Sequence, residues 1–136
     1  VGAAGDGDAP LGGGDGEPFL CVPSEAVACL NQGRFEIRVT WRDFASHTDS
    51  GHVVPYSTAD SGLFWFFAEE NWELLIKVLD GCGLNQRYWV FAAATTNVAY
   101  TLTVTDSENG SSVVYENPLG RSSPAITDTA AFATCP

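Results

Sequence analysis

The sequence predicts an all-β domain, an antiparallel β-sandwich of about seven to nine strands with Greek-key-like connections and two disulfides. Short segments in which apolar and polar residues alternate are one sign of it, and turn-forming residues that recur about every 8 to 14 residues are another. The third is the presence of four cysteines in a chain of 136 residues. A hydrophobic content of 45%, with four Trp and eight Phe, is enough for a packed core.

The first half of the predicted domain contains two clear strands. Residues 34–42 form the first, because every second residue from Phe35 onward is apolar and the residues between are polar. Residues 47–55 are polar and predict a loop. Residues 73–79 predict another strand; a helix over residues 68–79 is the alternative, which the alternation of bulky and β-branched side chains disfavours.

The second half follows the same pattern. Residues 100–105 alternate between apolar residues and threonines, which is typical of a strand with one solvated face. The Asn109-Gly110 pair then predicts a hairpin turn before a strand at residues 113–115. A last short strand is predicted around residues 130–133.

Two further predicted strands, residues 63–67 and 88–91, are apolar on both faces. If the first fills the core with its odd-numbered residues, then Phe64 and Phe66 point the other way. Trp89 and Phe91 similarly oppose Tyr88 and Val90. An exposed aromatic patch favours association, so we expect a loop, a neighbouring subunit or a ligand such as a sugar ring to cover it. The candidate assembly or binding surface consists of Phe64, Phe66, Trp89 and Phe91.

The cysteines predict a disulfide framework and an oxidising compartment. Four cysteines allow three pairings, which the sequence alone does not distinguish. We pair Cys21 with Cys29, which flank a short segment, and Cys82 with Cys135, which would fasten the C-terminal end to the sheet. The absence of a C-x-x-C pair argues against a structural zinc site.

Several features predict a secreted protein, located outside the cell or at its surface. The chain begins at Val1 and contains no Met, as expected if a signal peptide has been removed. No apolar stretch approaches the length of about 18 residues that a membrane helix needs.

The formal net charge of the chain, −11, disfavours nucleic acid and anionic lipid as partners.

The composition divides the chain into an N-terminal arm, residues 1–18, and a sandwich domain, residues 19–136. Seven of the 18 arm residues are Gly and four are acidic, a composition typical of a flexible segment. Clustered carboxylates suit Ca²⁺, and Asp6, Asp8 and Asp15 are the candidate ligands. The full EF-hand pattern is absent, and no other cofactor is predicted.

No catalytic machinery is recognisable, so we expect a protein that is not an enzyme. The sequence lacks a G-x-S-x-G elbow, and four disulfide-bonded cysteines leave no thiolate to act as a nucleophile. His47, Asp49 and His52 lie close together in the sequence, but their spacing matches no metal motif and indicates a polar loop. The acids of residues 69–73 are likewise expected to be solvated.

A series of short motifs resembles a recurrent module of secreted bacterial proteins. These motifs are Trp41-Arg42-Asp43-Phe44, Phe64-Trp65-Phe66-Phe67, Lys77-Val78-Leu79-Asp80-Gly81, Tyr88-Trp89-Val90-Phe91 and Asn117-Pro118-Leu119-Gly120. The resemblance covers most of residues 21–135 and leaves the arm outside it. It implies an accessory or structural role and brings no functional residues with it.

The resulting hypothesis is a structural subunit that binds copies of itself. The arm of one subunit is expected to add to the sheet edge of the next, which would build a filament. One alternative is a glycan-binding or Ca²⁺-dependent adhesion module that uses exposed aromatic rings such as Trp72. Another is a secreted hydrolase inhibitor that uses the segment between the first two cysteines, residues 22–28.

Overall fold

The computed structural model describes residues 16–136, which form two antiparallel β-sheets and one short helix. The predicted all-β fold with two disulfides is confirmed. The elements are, in chain order, β1 (Ala28–Leu30), β2 (Phe35–Arg42), β3 (Thr48–Ser50), β4 (His52–Val53), β5 (Ser61–Trp65), β6 (Trp72–Gly81), α1 (Cys82–Asn85), β7 (Arg87–Ala94), β8 (Ala99–Asp106), β9 (Ser112–Asn117) and β10 (Ile126–Phe132).

The two sheets are built from different parts of the chain. The first has the order β1-β2-β8-β9, with β3 also paired to β2, and the second has the order β10-β7-β6-β5-β4. Residues 47–55, predicted to be a loop, contain the short strands β3 and β4. Together with β1, which was not predicted either, they bring the described residues to ten strands. The helix of four residues is far too short to cross a membrane, and no other helix occurs among residues 16–136.

The core lies between the sheets and contains the apolar half of each long strand. In β2 the buried residues are Phe35, Ile37, Val39 and Trp41, in the phase that the sequence predicts. The strand β6 runs from Trp72 to Gly81, so the predicted strand is present and the helical alternative for this segment was wrong.

The orientation of β5 is the reverse of the expected one. Phe64 and the following Phe66 are buried in the core, whereas Leu63, Trp65 and Phe67 are not part of it. Both halves of this segment are apolar, so burial alone gives no preference between them. The strand pairing determines which half of β5 faces the core. Phe64 lies opposite Leu74 of β6 and Val53 of β4, and Leu74 is also buried in the core.

Both predicted disulfides are present, Cys21–Cys29 and Cys82–Cys135. Close to the second, Arg34, which precedes β2, forms an ion pair with Asp106 at the end of β8 in the same sheet. Arg34 donates hydrogen bonds to both carboxylate oxygens of Asp106, at 3.1 and 2.9 Å, and these bonds raise the pKa of Arg34. Its guanidinium also donates to the Tyr88 hydroxyl and to the carbonyl of Thr134.

The β8–β9 hairpin occurs where the Asn109-Gly110 pair predicts a turn, and Gly110 has the positive φ of 75° that glycine tolerates. Across the sandwich, the Tyr115 hydroxyl on β9 donates to Asp128 on β10 at 2.7 Å. Burial, together with this bond, raises the pKa of Tyr115. Side chains of the edge strands therefore join the two sheets along this side.

Candidate functional site

The outer face of the second sheet is unusually apolar. Its residues lie side by side on β5, β6 and β7, because the register pairs Leu63 with Leu75 and Leu79 with Trp89. We call the set of Leu63, Trp65, Leu75, Leu79, Trp89 and Phe91 the apolar outer face. None of these side chains belongs to the core, and all are partly or largely solvent-exposed.

Two of its aromatic rings lie nearly parallel to each other, and one of them covers a glycine of the neighbouring strand. The Trp89 and Phe91 rings are 6.0 Å apart between centroids and are inclined by only 13°. The Trp89 indole N–H donates to the side-chain oxygen of Asn85 at 2.8 Å. Its ring covers Gly81, where a Cβ atom would collide with it. A glycine on the neighbouring strand thus makes room for a broad aromatic surface.

Charge on this face is sparse and positive. Lys77 lies at the centre, with its ammonium 5.8 Å from the Phe91 ring centroid, and Arg87 lies at one end, opposite Gly81. The outer face of the first sheet is different, because Thr101, Thr103 and Thr105 of β8 lie beside the polar residues of β2. The domain therefore has one polar and one apolar outer face.

The strand β9 forms an open edge of the first sheet. It pairs with β8 over six residues without a register shift, and no described strand pairs with its other side. The Asp106 N–H donates to the Ser111 carbonyl at 2.8 Å. Because hydrogen-bonded and non-hydrogen-bonded pairs alternate in an antiparallel ladder, the main-chain groups of Ser112, Val114 and Glu116 point away from β8.

The other sheet edges are shorter or irregular. The strands β1, β3 and β4 have only two or three residues each, and β10 has an irregular register between Asp128 and Phe132. The Val114 side chain on β9 is 53% exposed. Among the described residues, β9 is thus the longest regular edge available for pairing.

The chain enters the domain close to this edge. A Cβ atom on Gly16 would lie 2.7 Å from backbone atoms of Gly110, so the two glycines are in close contact. The Phe19 N–H donates to the carbonyl of Ser107 at 2.8 Å. Both partners belong to the β8–β9 turn, which immediately precedes β9. Residues 1–15, including the calcium candidates Asp6, Asp8 and Asp15, lie outside the described residues.

Next to this entry point, the first disulfide holds the loop of residues 22–28. The loop rests on β4 through a hydrogen bond from the Val53 N–H to the Glu25 carbonyl, 2.7 Å long. Val27 and Ala28 are buried, whereas Val22 is exposed. Part of the segment suggested for an inhibitor therefore belongs to the domain interior.

At the opposite end of the sandwich, Tyr56 and Trp72 form an exposed aromatic pair. Tyr56 is 71% exposed, and the two ring centroids are 6.2 Å apart. The neighbouring Glu73 is buried at the bulge in the β5–β6 register, and burial raises the pKa of Glu73. Asn71 donates to the Glu73 carboxylate at 3.0 Å.

The described residues contain no cluster of three or more His, Cys, Asp or Glu side chains that could hold a metal ion. His47 is exposed and bonds Asp43, whereas His52 stacks on Trp65 at 4.1 Å between ring centroids. The two histidines thus have separate surroundings. An open depression of about 660 Å³ lies on the first sheet, and its lining is of mixed polarity, with Thr40, Glu116 and Leu119 among its residues.

The predicted assembly surface is therefore divided. Trp89 and Phe91 lie on the apolar outer face, but Phe64 and Phe66 are core residues, and that part of the prediction was wrong. Leu63 and Trp65, the other half of the same apolar strand, lie on the apolar outer face instead. The open edge of β9 was not predicted, because a single sequence does not reveal which strands lie at sheet edges.

Comparisons with protein-family models, with curated proteins and with solved structures found no match to this chain.

Proposed function

We propose that this protein is a non-catalytic extracellular structural subunit that assembles with copies of itself through its N-terminal arm. The observation that carries the proposal is the open edge of β9 beside the point where the arm enters the domain. An exposed regular edge offers main-chain donors and acceptors to an added strand, which is a common way for proteins to bind an extended segment.

The dimensions suit strand addition. A six-residue strand is about 20 Å long, whereas 15 extended residues reach at most about 50 Å. The arm therefore has enough length to cover the β9 edge of a neighbouring copy and still connect to its own domain. Because donor and acceptor surfaces differ, each added copy would expose a new edge, and assembly would continue as a filament.

The proposal is tested with three forms of the protein: the full chain, a form lacking residues 1–15, and the variant Val114→Pro. Proline removes the Val114 N–H, which points away from β8, so the β8–β9 ladder keeps its own hydrogen bonds. The control Val114→Ala keeps the N–H. Light scattering and negative-stain microscopy report assembly, and circular dichroism reports folding.

We expect polymers from the full chain and from Val114→Ala, and monomers from the other two forms. If the form lacking residues 1–15 assembles as well as the full chain, the arm is not the linking element. If every form remains monomeric up to millimolar concentration, the structural role is refuted.

The exposed Tyr56–Trp72 pair supports a second candidate function, glycan binding. Aromatic rings bind the apolar faces of sugar rings, and the exposed Asn71 nearby offers a polar partner. A glycan array probed with the full chain and with Trp72→Ala tests this function. The control is Phe44→Ala, which removes an exposed ring elsewhere. Equal signals from the full chain and Trp72→Ala would refute it.

A further inference from the structure

A second apolar surface lies next to the first disulfide. Leu20 and Val22 are 83% and 64% exposed, and Phe19 is also largely exposed. We call residues 19–22 the exposed segment. Its main chain is tied to the domain by the Phe19–Ser107 hydrogen bond and the Cys21–Cys29 disulfide, and Cys21 is buried, but Leu20 and Val22 remain in solvent. Adjacent apolar side chains held in water are typical of a contact surface.

The exposed segment begins at the first sheet, and the loop that follows it reaches the rim of the apolar outer face, where Glu25 lies 3.2 Å from His52 and the His52 ring stacks on Trp65. Phe19 and Cys21 are tied to the first sheet and its β8–β9 turn. The apolar outer face belongs to the second sheet and points away from the first. Because Leu20 and Val22 remain exposed, they do not cover the apolar outer face of their own chain, and they are available to meet that of a second copy.

The charges of the two surfaces are complementary. The exposed segment follows Glu17, which is exposed, whereas the apolar outer face contains Lys77 and Arg87. If two apolar outer faces met each other, two such pairs of positive charges would face each other, which is unfavourable. A contact between unlike surfaces places Glu17 of one copy near the basic residues of the next.

We infer that the exposed segment of one copy binds the apolar outer face of the next. This inference rests on the proposed self-assembly and names a contact within it that is separate from the arm and the β9 edge. Leu20 and Val22 supply the apolar side chains, and the flat rings of Trp89 and Phe91 supply the surface that receives them. Because the contact joins unlike surfaces, it repeats from copy to copy.

The test uses full-length variants that each remove one surface. The segment variant carries Leu20→Asp and Val22→Asp, and the face variant carries Leu75→Asp and Phe91→Asp. A control with Phe44→Asp and Leu84→Asp adds the same charge at exposed positions elsewhere. Analytical ultracentrifugation measures association, and circular dichroism verifies that each variant is folded.

We expect the segment and face variants each to associate at least tenfold more weakly than the wild type and the control. An equimolar mixture of the two should form 1:1 dimers, because each variant retains the surface that the other lacks. This rescue also shows that both variants are correctly folded.

Other outcomes overturn the inference. If the face variant dissociates but the segment variant assembles normally, another occupant covers the apolar outer face. If both variants assemble like the wild type and only Val114→Pro fails, self-assembly through the arm stands and this contact does not exist. If the wild type itself is monomeric, the proposed function and this contact are both refuted.

Discussion

Replacement of Asp106 by Asn is expected to lower the free energy of unfolding by about 3 kcal/mol. The Asp106 side chain is 0% exposed and that of Arg34 only 12%, and loss of one partner of a buried ion pair costs about 3–5 kcal/mol. We expect the lower end of this range, because Arg34 keeps its hydrogen bonds to the Tyr88 hydroxyl and the Thr134 carbonyl. The loss corresponds to a decrease in Tm of about 10 °C.

Urea denaturation with the disulfides intact, followed by tryptophan fluorescence, measures this loss. The control is Arg38→Met, which removes an ion pair of similar length, 3.0 Å, whose arginine is 57% exposed. It should cost less than about 1 kcal/mol. The double variant Arg34→Met with Asp106→Asn should lose less than the sum of the single variants, because neither charge is then left unpaired. A loss for Asp106→Asn no larger than that of the control would refute the reasoning.

Three further changes have defined outcomes. Burial raises the pKa of Glu73 in the folded protein. The folded state is therefore destabilised as the pH rises above the pKa of about 4.3 that a glutamate has in the unfolded chain. Glu73→Gln should stabilise the protein at pH 7 but not at pH 3, as measured by urea denaturation. Gly81→Ala should cost about 1–3 kcal/mol and shift the tryptophan emission to longer wavelength, because the new methyl group displaces the Trp89 ring. Breaking the Cys82–Cys135 disulfide with serines should cost about 4 kcal/mol in chain entropy, and an unchanged urea midpoint would contradict that model.

The sequence determines strands well where the two faces differ in polarity. In β2 and β8 the polar residues have only one favourable direction, and both strands have the expected phase. In β5 both halves are apolar, so the choice between Phe64 and Trp65 depends on partners that are distant in the sequence. The polar strands β3 and β4 were not predicted, because they have no hydrophobic pattern. They are strands because β3 pairs with β2 and β4 pairs with β5.

The candidate surfaces show the same limit. The excess of aromatic residues at 88–91 correctly indicates apolar side chains outside the core. The ion pair between Arg34 and Asp106 joins residues 72 positions apart, and no local pattern connects them. The open edge of β9 and the exposed segment depend on strand order and on which side chains the fold leaves uncovered.

The two disulfides also determine how the domain would respond to mechanical tension applied through its ends. Tension entering before Cys21 crosses directly to Cys29, and tension reaching Cys82 crosses directly to Cys135. Apart from the residues before Cys21 and after Cys135, only the backbone of residues 29–82 therefore bears the load, and β7 to β10 lie outside the covalent path. When these residues are completely unfolded by the load, their extended backbone is about 190 Å long. The bypassed strands remain under no tension.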